Sequence, residues 1–354
     1  MRNMSAFITV MLVTAFVAGV WADTVTWTGD GGSDTRWTNP ANWAGGVLPA
    51  FDGTEDVVIS KVNNAGTVMD LDGDKWINSL NTSVASPNFI ISNSTLRVNT
   101  FVRKGNQAQI KIVSDLEIDG TLTLRSDNAS NSGLLIPGRI REASAGSGVI
   151  VQNAVGGVYL YNTNNAYSGE TVVRRGTLVL SGDAPAEGPG TAGLANGPIL
   201  VGDEETGTND WGVTFTVPNG VSVGRTVRVI DTGSTVKPVV SIPGSTGTRD
   251  FTLILDRDIQ INYGQPGNGT YHGYITGVGG IERTGGTEYL NLTCATNDFS
   301  GDVSVLSGDL FFAISGETNA LGMAETPVVI ASPGGATARG IRRSEEHTSE
   351  LQSH

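Results

Sequence analysis

Short runs of alternating apolar and polar residues recur along most of the chain, and they constrain its fold more than any other feature. Each run is bounded by Gly, Asn, Asp or Ser, as half-buried strands joined by tight turns are. The clearest runs are residues 57–59, 89–91, 95–98, 109–113, 116–119, 121–124, 177–180, 227–230 and 251–255. Outside residues 1–22, no stretch has the apolar spacing of a helix between helix caps. The predicted fold class is therefore all-β.

One segment of the chain is repeated, and the repeat decides which all-β fold to expect. Residues 165–180 align without a gap with residues 297–312, sharing an Asn, an aromatic residue, Ser-Gly, a second Gly and a Leu. The alignment extends to residues 148–201 and 280–330. We expect a structural duplication, because one strand–turn–strand unit buries its apolar face only when further units stack on it.

Stacked units of this kind form a parallel β-helix, in which strands about 4.8 Å apart enclose one thin core. A β-sandwich would instead show larger core aromatics and regularly spaced Asn-Gly or Asp-Gly turns. Glycine, at 48 of 354 residues, suits the corners of a β-helix, where the backbone takes positive φ. The sequence therefore predicts a parallel β-helix, or solenoid.

The repeated motif also resembles a known family. Residues 165–180 have the form Asn-x-aromatic-Ser-Gly followed by Gly-Thr-Leu-x-Leu, which is similar to the autotransporter-associated β-strand repeat of Gram-negative passenger domains. Residues 168–171 read Ser-Gly-Glu-Thr where the family usually has Thr-Gly-Gly-Thr, and Asp309 replaces a Thr in the second copy. The start of the mature chain, with Trp27, Trp37 and Trp43, resembles the initial segment of such proteins.

The resemblance implies a right-handed β-helix that is secreted or displayed at the outer-membrane surface, normally followed by a C-terminal barrel or anchor. It says little about activity, because proteins that share a fold differ in what their loops do. We expect Trp27, Trp37 and Trp43 to belong to an N-terminal capping segment rather than to a ligand platform. An uncovered coil would expose apolar core and unpaired strand edges.

The two ends of the chain are expected to lie outside the fold. Residues 1–22 read as a secretory signal peptide, with Arg2 in the positive region and an apolar run from residue 6 to residue 20. Residues 343–354 resemble a translated sequencing adaptor, so we expect the natural chain to have continued. Between them we predict a cap with entering strands at 23–60 and the parallel β-helix at 61–342.

The charge of the chain argues against two classes of partner. Asp and Glu number 35 against 22 Lys and Arg, which gives a formal net charge of −13. Because no basic segment offsets this charge, a nucleic acid or an anionic membrane would be repelled. We also expect no membrane span after the signal, since no other stretch is apolar over about 20 residues.

Asp70, Asp72 and Asp74 alternate in a glycine-containing turn, like the first half of a calcium loop. The bidentate Glu at position 12 of such a loop is replaced here by Asn81. We therefore predict a turn whose Asp side chains accept hydrogen bonds from backbone N–H groups. A calcium-dependent carbohydrate-binding module stays open as an alternative.

Two further charged clusters follow apolar strands. Residues 203–205, Asp-Glu-Glu, predict a solvated loop tip. Asp256, Arg257 and Asp258, together with Arg283, are the residues that a lyase-like enzyme on this scaffold would use, with a metal to acidify a sugar proton and a base to remove it. The favoured interpretation of the 256–258 cluster is a stacked charge pair on an outer face.

His272 is the only histidine before residue 343, so a site with several histidine ligands is excluded for residues 1–342. Tyr263, Tyr271 and Tyr274 surround it in a loop that would offer stacking surfaces to a sugar, unless this loop is only an excursion from the helix body. Cys294 continues the alternation of the preceding apolar run and is predicted to be a small inward-facing core residue.

We therefore expect a non-enzymatic, secreted or surface-displayed passenger with a structural or adhesive role, and we assign no catalytic residue, cofactor or metal. The expected partners are carbohydrate or another cell-surface protein. A lyase-like polysaccharide enzyme and the calcium-dependent module are the alternatives. Carboxylates converging in a groove would favour the enzyme, and a calcium-dependent rise in stability would favour the module.

Overall fold

The structure is a computed structural model that describes most of the chain between residues 23 and 344. The gaps are residues 85–86, 107, 128–132, 195–196, 207–211, 245–248, 263–268, 286–288, 316–317, 320–321, 323–327 and 331–337. The predicted signal peptide and most of the predicted adaptor-derived tail therefore lie outside the described residues.

The described residues form strands and short turns, with 3₁₀ turns at Pro40–Asn42, Ala44–Gly46 and Glu204–Thr206 and no α-helix. The strands are β1 Thr24–Trp27, β2 Asp56–Ile59, β3 Thr67–Asp70, β4 Lys75–Thr82, β5 Phe89–Ser92, β6 Thr95–Lys104, β7 Ile110–Ile112, β8 Asp115–Ile118, β9 Thr121–Ser126, β10 Leu134–Ile136, β11 Ile140–Glu142, β12 Gly148–Leu160, β13 Thr171–Leu180, β14 Pro189–Gly190, β15 Gly193–Leu194, β16 Ile199–Val201, β17 Val213–Thr216, β18 Val227–Val229, β19 Val239–Ser241, β20 Leu253–Leu255, β21 Ile259–Asn262, β22 Gly269–Tyr271, β23 Ile275–Gly277, β24 Ile281–Thr284, β25 Tyr289–Leu292, β26 Val303–Val305, β27 Gly308–Ser315, β28 Thr318–Asn319, β29 Val328–Ile330 and β30 Ala338–Ser344.

Parallel pairing arranges these strands in stacks that run along the solenoid. The first stack begins with β1, β2 and the end of β4 and continues to β23. The second begins with β3, β5, β7 and β10 and continues to β29. The third contains the start of β4, the start of β6, β8 and β11. Near the other end, β22, β25, β27 and β30 form a separate parallel stack.

The core is a set of columns in which one apolar side chain from each coil lies over the next. In the first stack the paired positions Val57, Leu80, Val102, Leu124, Val151, Val173, Val201, Val229 and Leu255 are all buried. A second column runs through Phe89, Ile110, Leu134, Val158, Leu178, Phe215, Val240 and Ile261. Because burying such a side chain is worth about 1.5–3 kcal/mol, these columns account for much of the stability.

This arrangement confirms the predicted all-β parallel solenoid, which has about ten turns. The right-handed sense of the coil and the capping role of residues 23–60 stay predictions. The shared Asn of the two motif copies behaves alike in both. Asn165 and Asn297 are buried and accept hydrogen bonds from the backbone N–H groups of Ile140 and Ile275 at 2.7 and 2.8 Å.

The two motif copies nevertheless occupy different stacks. The first copy starts with β12 in the first stack, whereas the aligned strand of the second copy, β24, belongs to the second stack. The next aligned position is displaced as well. Leu160, at the end of β12, lies in the second stack, whereas its aligned residue Leu292 lies in the stack of β22 and β25. The local motif therefore specifies a strand, a corner and a strand, but not which stack they join.

Candidate functional site

The Asp70–Asp74 turn connects β3 to β4 on the outside of the solenoid. Asp70 Oδ1 accepts a hydrogen bond from the N–H of Asp72 at 2.8 Å, and Asp74 Oδ1 accepts one from the N–H of Thr95 at 2.7 Å. Asp72 Oδ2 accepts from the hydroxyl of Thr38 at 2.5 Å. The prediction of carboxylates that bind backbone amides is confirmed for Asp70 and Asp74. Within the described ranges, no three His, Cys, Asp or Glu side chains are grouped so that they could hold a metal ion.

The cluster at residues 203–205 is anchored to the neighbouring coil by one arginine. Arg174, on β13, pairs through Nε with Asp203 Oδ2 and through Nη1 with Glu205 Oε2, both at 2.7 Å. The Glu205 side chain is still 73% exposed. The predicted loop tip is therefore solvated, but Arg174 fixes it to the solenoid body.

The candidate lyase residues are divided between the outside and the inside of the coil. Asp256 pairs with Arg228 at 2.8 Å, and Asp258 lies 3.7 Å from the amine of Lys237. Arg283 is fully buried on β24, where its guanidinium donates to the backbone oxygens of residues 284 and 285. The predicted stacked charge pairs are confirmed for both aspartates, and Arg283 is not brought to the same surface.

Tyr271, beside His272, is buried and does not form part of an exposed aromatic surface. Tyr271 is the last residue of β22 and points inward, with its hydroxyl 2.5 Å from the backbone oxygen of Phe251 and its ring centroid 5.0 Å from that of Phe251. Burial raises the pKa of Tyr271 well above its usual value. Of the two interpretations left open for this loop, the stacking surface does not hold for Tyr271, while His272 itself is exposed and bonded to Thr293. Tyr263 lies outside the described residues.

The prediction that Cys294 fills the core is also wrong. Strand β25 ends at Leu292, so the period-2 alternation stops before Cys294 is reached. Cys294 lies in the following turn, is half-buried, and has its sulfur 3.4 Å from the hydroxyl of Thr296. The turn, rather than the strand pattern, sets the direction of this side chain.

The three tryptophans near the start of the described chain pack on one another. Trp27, Trp37 and Trp43 are buried, with ring centroids 5.3–6.2 Å apart, and Phe51 stacks on Trp37 at 5.8 Å. The indole N–H of Trp43 donates to the backbone oxygen of Trp37 at 2.8 Å. These rings belong to the core rather than to a ligand platform.

A surface that sequence reasoning missed lies on the outside of the third stack. We call it the Trp76 column, and it consists of Trp76, Arg97, Glu117 and Arg141, which are directly paired from coil to coil. The guanidinium carbon of Arg97 lies 4.5 Å from the centroid of the Trp76 ring. Glu117 lies 3.6 Å from Arg97 and 3.1 Å from Arg141. The column is a continuous aromatic and charged ladder along the solenoid axis.

A cleft of about 230 Å³ runs beside the Trp76 column and is also lined by Phe51 and Lys75. The Lys75 amine donates to two backbone oxygens, of Asp72 and Gly73, and lies 5.3 Å from the Phe51 ring centroid. Burial lowers the pKa of Lys75. The cleft thus combines aromatic rings with charges of both signs, which suits the binding of a polar partner.

The sequence carries only a weak signal for this column. Its members are separated by 20 to 24 residues, and every one occupies an outward position of a period-2 strand. That spacing could have identified the column only if each coil had one fixed length. The corners differ in length, so the number of residues in a coil varies. The sequence alone therefore does not show which residues of the column pair.

Comparisons with protein families, with curated proteins and with solved structures found no match for this chain. In the part of the chain that the structure describes, no helix has the length and apolar character needed to cross a membrane.

Proposed function

We propose that this chain is a non-enzymatic, exported β-helical passenger, secreted or displayed at the cell surface, with a structural and adhesive role. The signal-like residues 1–22 and the resemblance of residues 165–180 to autotransporter-associated repeats support the proposal. A parallel solenoid is also the architecture that such a passenger requires, because it places long, regular outer faces in solvent.

The observation that carries the proposal is the Trp76 column. Arg97, Glu117 and Arg141 pair from one coil to the next, so they present a fixed alternation of charge. Surface ion pairs, here between side chains 24–39% exposed, contribute only about 0–1 kcal/mol each to stability, which makes stability a weak reason for such a ladder. Fixed charge patterns contribute more to the specificity and rate of association, which suits an adhesive surface.

Export and adhesion can be tested on the full chain in a Gram-negative host. We expect processing before Asp23, shown by N-terminal sequencing of the extracellular or surface fraction, and retention in the cytoplasm when residues 2–22 are deleted. We expect the processed protein to attach to immobilised cell-surface material. The variant R97E/R141E should attach less well. The control R228E, which also breaks an exposed ion pair, should attach as well as the wild type.

The non-enzymatic part of the proposal needs a separate assay. The processed protein should release no unsaturated sugar from acidic polysaccharides, with and without calcium. Sugar release that is abolished by D256N or D258N would overturn this part of the proposal. An unprocessed chain, or a processed chain that attaches to nothing, would overturn the export or the adhesive part.

A further inference from the structure

A second outer surface, in the middle of the second stack, carries exposed apolar and aromatic side chains. We call it the Tyr159 surface. Its members are outward-facing residues of β7, β10 and β12 and the residues that follow these strands: Lys111, Val113, Leu135, Pro137, Tyr159 and Tyr161. Val113 is 43% and Tyr161 41% exposed, values that few large apolar side chains reach among the described residues, and Leu135, Pro137 and Tyr159 are half-buried. Such a contiguous patch is a sign of an interaction site.

The register arranges these residues as a flat grid. Lys111, Leu135 and Tyr159 are directly paired between coils, so they form one column with a spacing of about 4.8 Å. Tyr161, the residue after β12, is 41% exposed, and its N–H donates to the backbone oxygen of Ile136 on β10 at 3.1 Å, so the pairing of the two coils continues to Tyr161, about 6.6 Å beyond Tyr159. The surface is a two-dimensional array rather than a pocket.

Two glycines allow the Tyr159 ring to lie over the sheet. A Cβ atom at Gly133 would lie 2.4 Å from Tyr159 Cε2, and one at Gly157 would lie 2.8 Å from the same atom. The ring therefore covers both glycines, with one side against their backbone. Because Tyr159 is half-buried, the rest of the ring is open to solvent, as in a stacking platform.

The chemistry of this surface favours a sugar over a peptide. The face of an aromatic ring is electron-rich and attracts the weakly positive C–H groups on the flat side of a pyranose. A peptide that bound by strand addition would need an unpaired strand edge, but β10 and β12 are paired with neighbours on both sides. Peptide binding here could use side chains only.

Charge decides which class of sugar fits. Lys111 is the single charged member of the Tyr159 surface, and the whole chain carries a net charge of −13. An anionic polysaccharide would gain one contact with Lys111 and meet a repelling field elsewhere. We propose that the Tyr159 surface binds an extended neutral polysaccharide by stacking sugar rings on Tyr159 and Tyr161. This inference rests on the proposed adhesive function and names its partner class.

The test is calorimetric titration of the processed full chain with cellohexaose, mannohexaose, pentagalacturonate and a proline-rich peptide. We expect binding of a neutral hexasaccharide that changes little with salt. The variant Y159A/Y161A should lose about tenfold or more in affinity, whereas Y159F/Y161F should retain it because the ring faces remain. Tyr289 packs on Phe311 elsewhere, at 4.7 Å between ring centroids, so Y289A is the matched control and should bind normally.

The variant G157A tests the geometry without removing a ring. The three atoms nearest to the new Cβ all belong to Tyr159, so the substitution should tilt the ring and lower affinity about fivefold with little change in Tm. In a Y159A background the same change should have no further effect on binding. A general loss of folding would lower affinity in both backgrounds, so a loss seen only when Tyr159 is present would come from the tilted ring.

Four results would overturn the inference. They are binding of neither neutral hexasaccharide, preference for pentagalacturonate, preference for the peptide, and equal neutral-sugar affinity of the wild type and Y159A/Y161A. If the processed protein still attaches to cell-surface material in any of these cases, the adhesive function stands and only this site is wrong. If attachment itself is absent, the proposed function has failed.

Discussion

The side-chain oxygen of Asn165 accepts a hydrogen bond from the backbone N–H of Ile140, on the preceding coil, at 2.7 Å. Its side-chain amide donates to the backbone oxygen of Thr191 on the other side, at 2.9 Å. Asn165 is fully buried, so one side chain satisfies backbone groups of two segments. The aligned residue Asn297 bonds to the N–H of Ile275 in the same way.

Replacing Asn165 with alanine should destabilise the solenoid. N165A leaves a buried N–H and a buried carbonyl unpaired, and each lost partner costs about 1–3 kcal/mol. We expect the free energy of unfolding, measured by urea denaturation, to fall by at least that amount. The neighbouring Asn164 is exposed and provides the control, since N164A should change the free energy of unfolding by less than about 0.5 kcal/mol. Equal effects of N165A and N164A would contradict the prediction.

Arg225 holds a loop through backbone oxygens alone. The residue is 2% exposed, and its guanidinium donates to the carbonyl groups of Pro185, Gly188, Ala192, Gly193 and Leu194. These carbonyls belong to the segment around the β14–β15 hairpin, which projects from the coil between the end of β13 and β16. A planar group with five donors matches this set of acceptors, whereas a lysine has only three donors.

We expect R225A to destabilise the protein by about 2–4 kcal/mol, since it leaves several buried carbonyls without a donor. Hydrogen exchange should show the loss of protection first at the amides of Thr191 and Leu194. R225K should recover only part of the stability. As a control, R228A removes an exposed arginine and should cost less than about 1 kcal/mol. Full stability of R225K would show that charge, rather than the donor geometry, holds the loop.

Tyr167 should make stability depend on pH in the alkaline range. Burial raises the pKa of Tyr167 from 10.0 to about 12. Between these values the unfolded chain releases the phenol proton while the folded chain retains it, so stability is full below pH 10 and falls as the pH rises towards 12. The expected slope from this residue is about 1.4 kcal/mol per pH unit.

The variant Y167F removes that titration and should flatten the fall in unfolding free energy between pH 10 and pH 12. Y167F also loses the hydrogen bond between Tyr167 and Thr171, so its stability at pH 8 should be lower than that of the wild type. The quantity to compare is therefore the slope against pH, not the absolute stability. Tyr271 adds a similar slope to both proteins, because burial also raises its pKa. Identical slopes for the two proteins would refute the assignment.

Much of the solenoid could be predicted because inward and outward positions depend only on the local period of two. Val57 and Leu124 are examples of residues whose burial follows from their immediate neighbours. The same rule failed at Cys294, because it was extended beyond the last residue of β25. At Tyr271 the loop composition suggested exposure, but Tyr271 is the last residue of β22 and points inward.

The candidate surfaces could not be predicted because they depend on contacts between coils. Trp76 and Arg97 are 21 residues apart, and their pairing requires the corner between them to have one particular length. The two glycines under the Tyr159 ring come from different coils. The register between coils depends on the lengths of all the corners, so it cannot be predicted from a single motif.

The stacking of Arg97 on Trp76 should contribute measurably to stability and should resist salt. R97A removes this contact and the ion pairs to Glu117 and Asp119, so we expect a loss of about 1–1.5 kcal/mol. R97K keeps the charge but not the planar stack, and should recover about half of the loss. In high salt the ion pairs are screened, so the unfolding free energies of R97A and R97K should converge while both remain below that of the wild type.

Urea denaturation of the three proteins at two salt concentrations measures these free energies. If the wild-type advantage vanished in high salt, the contact would be purely ionic and the aromatic part of the Trp76 column would add nothing.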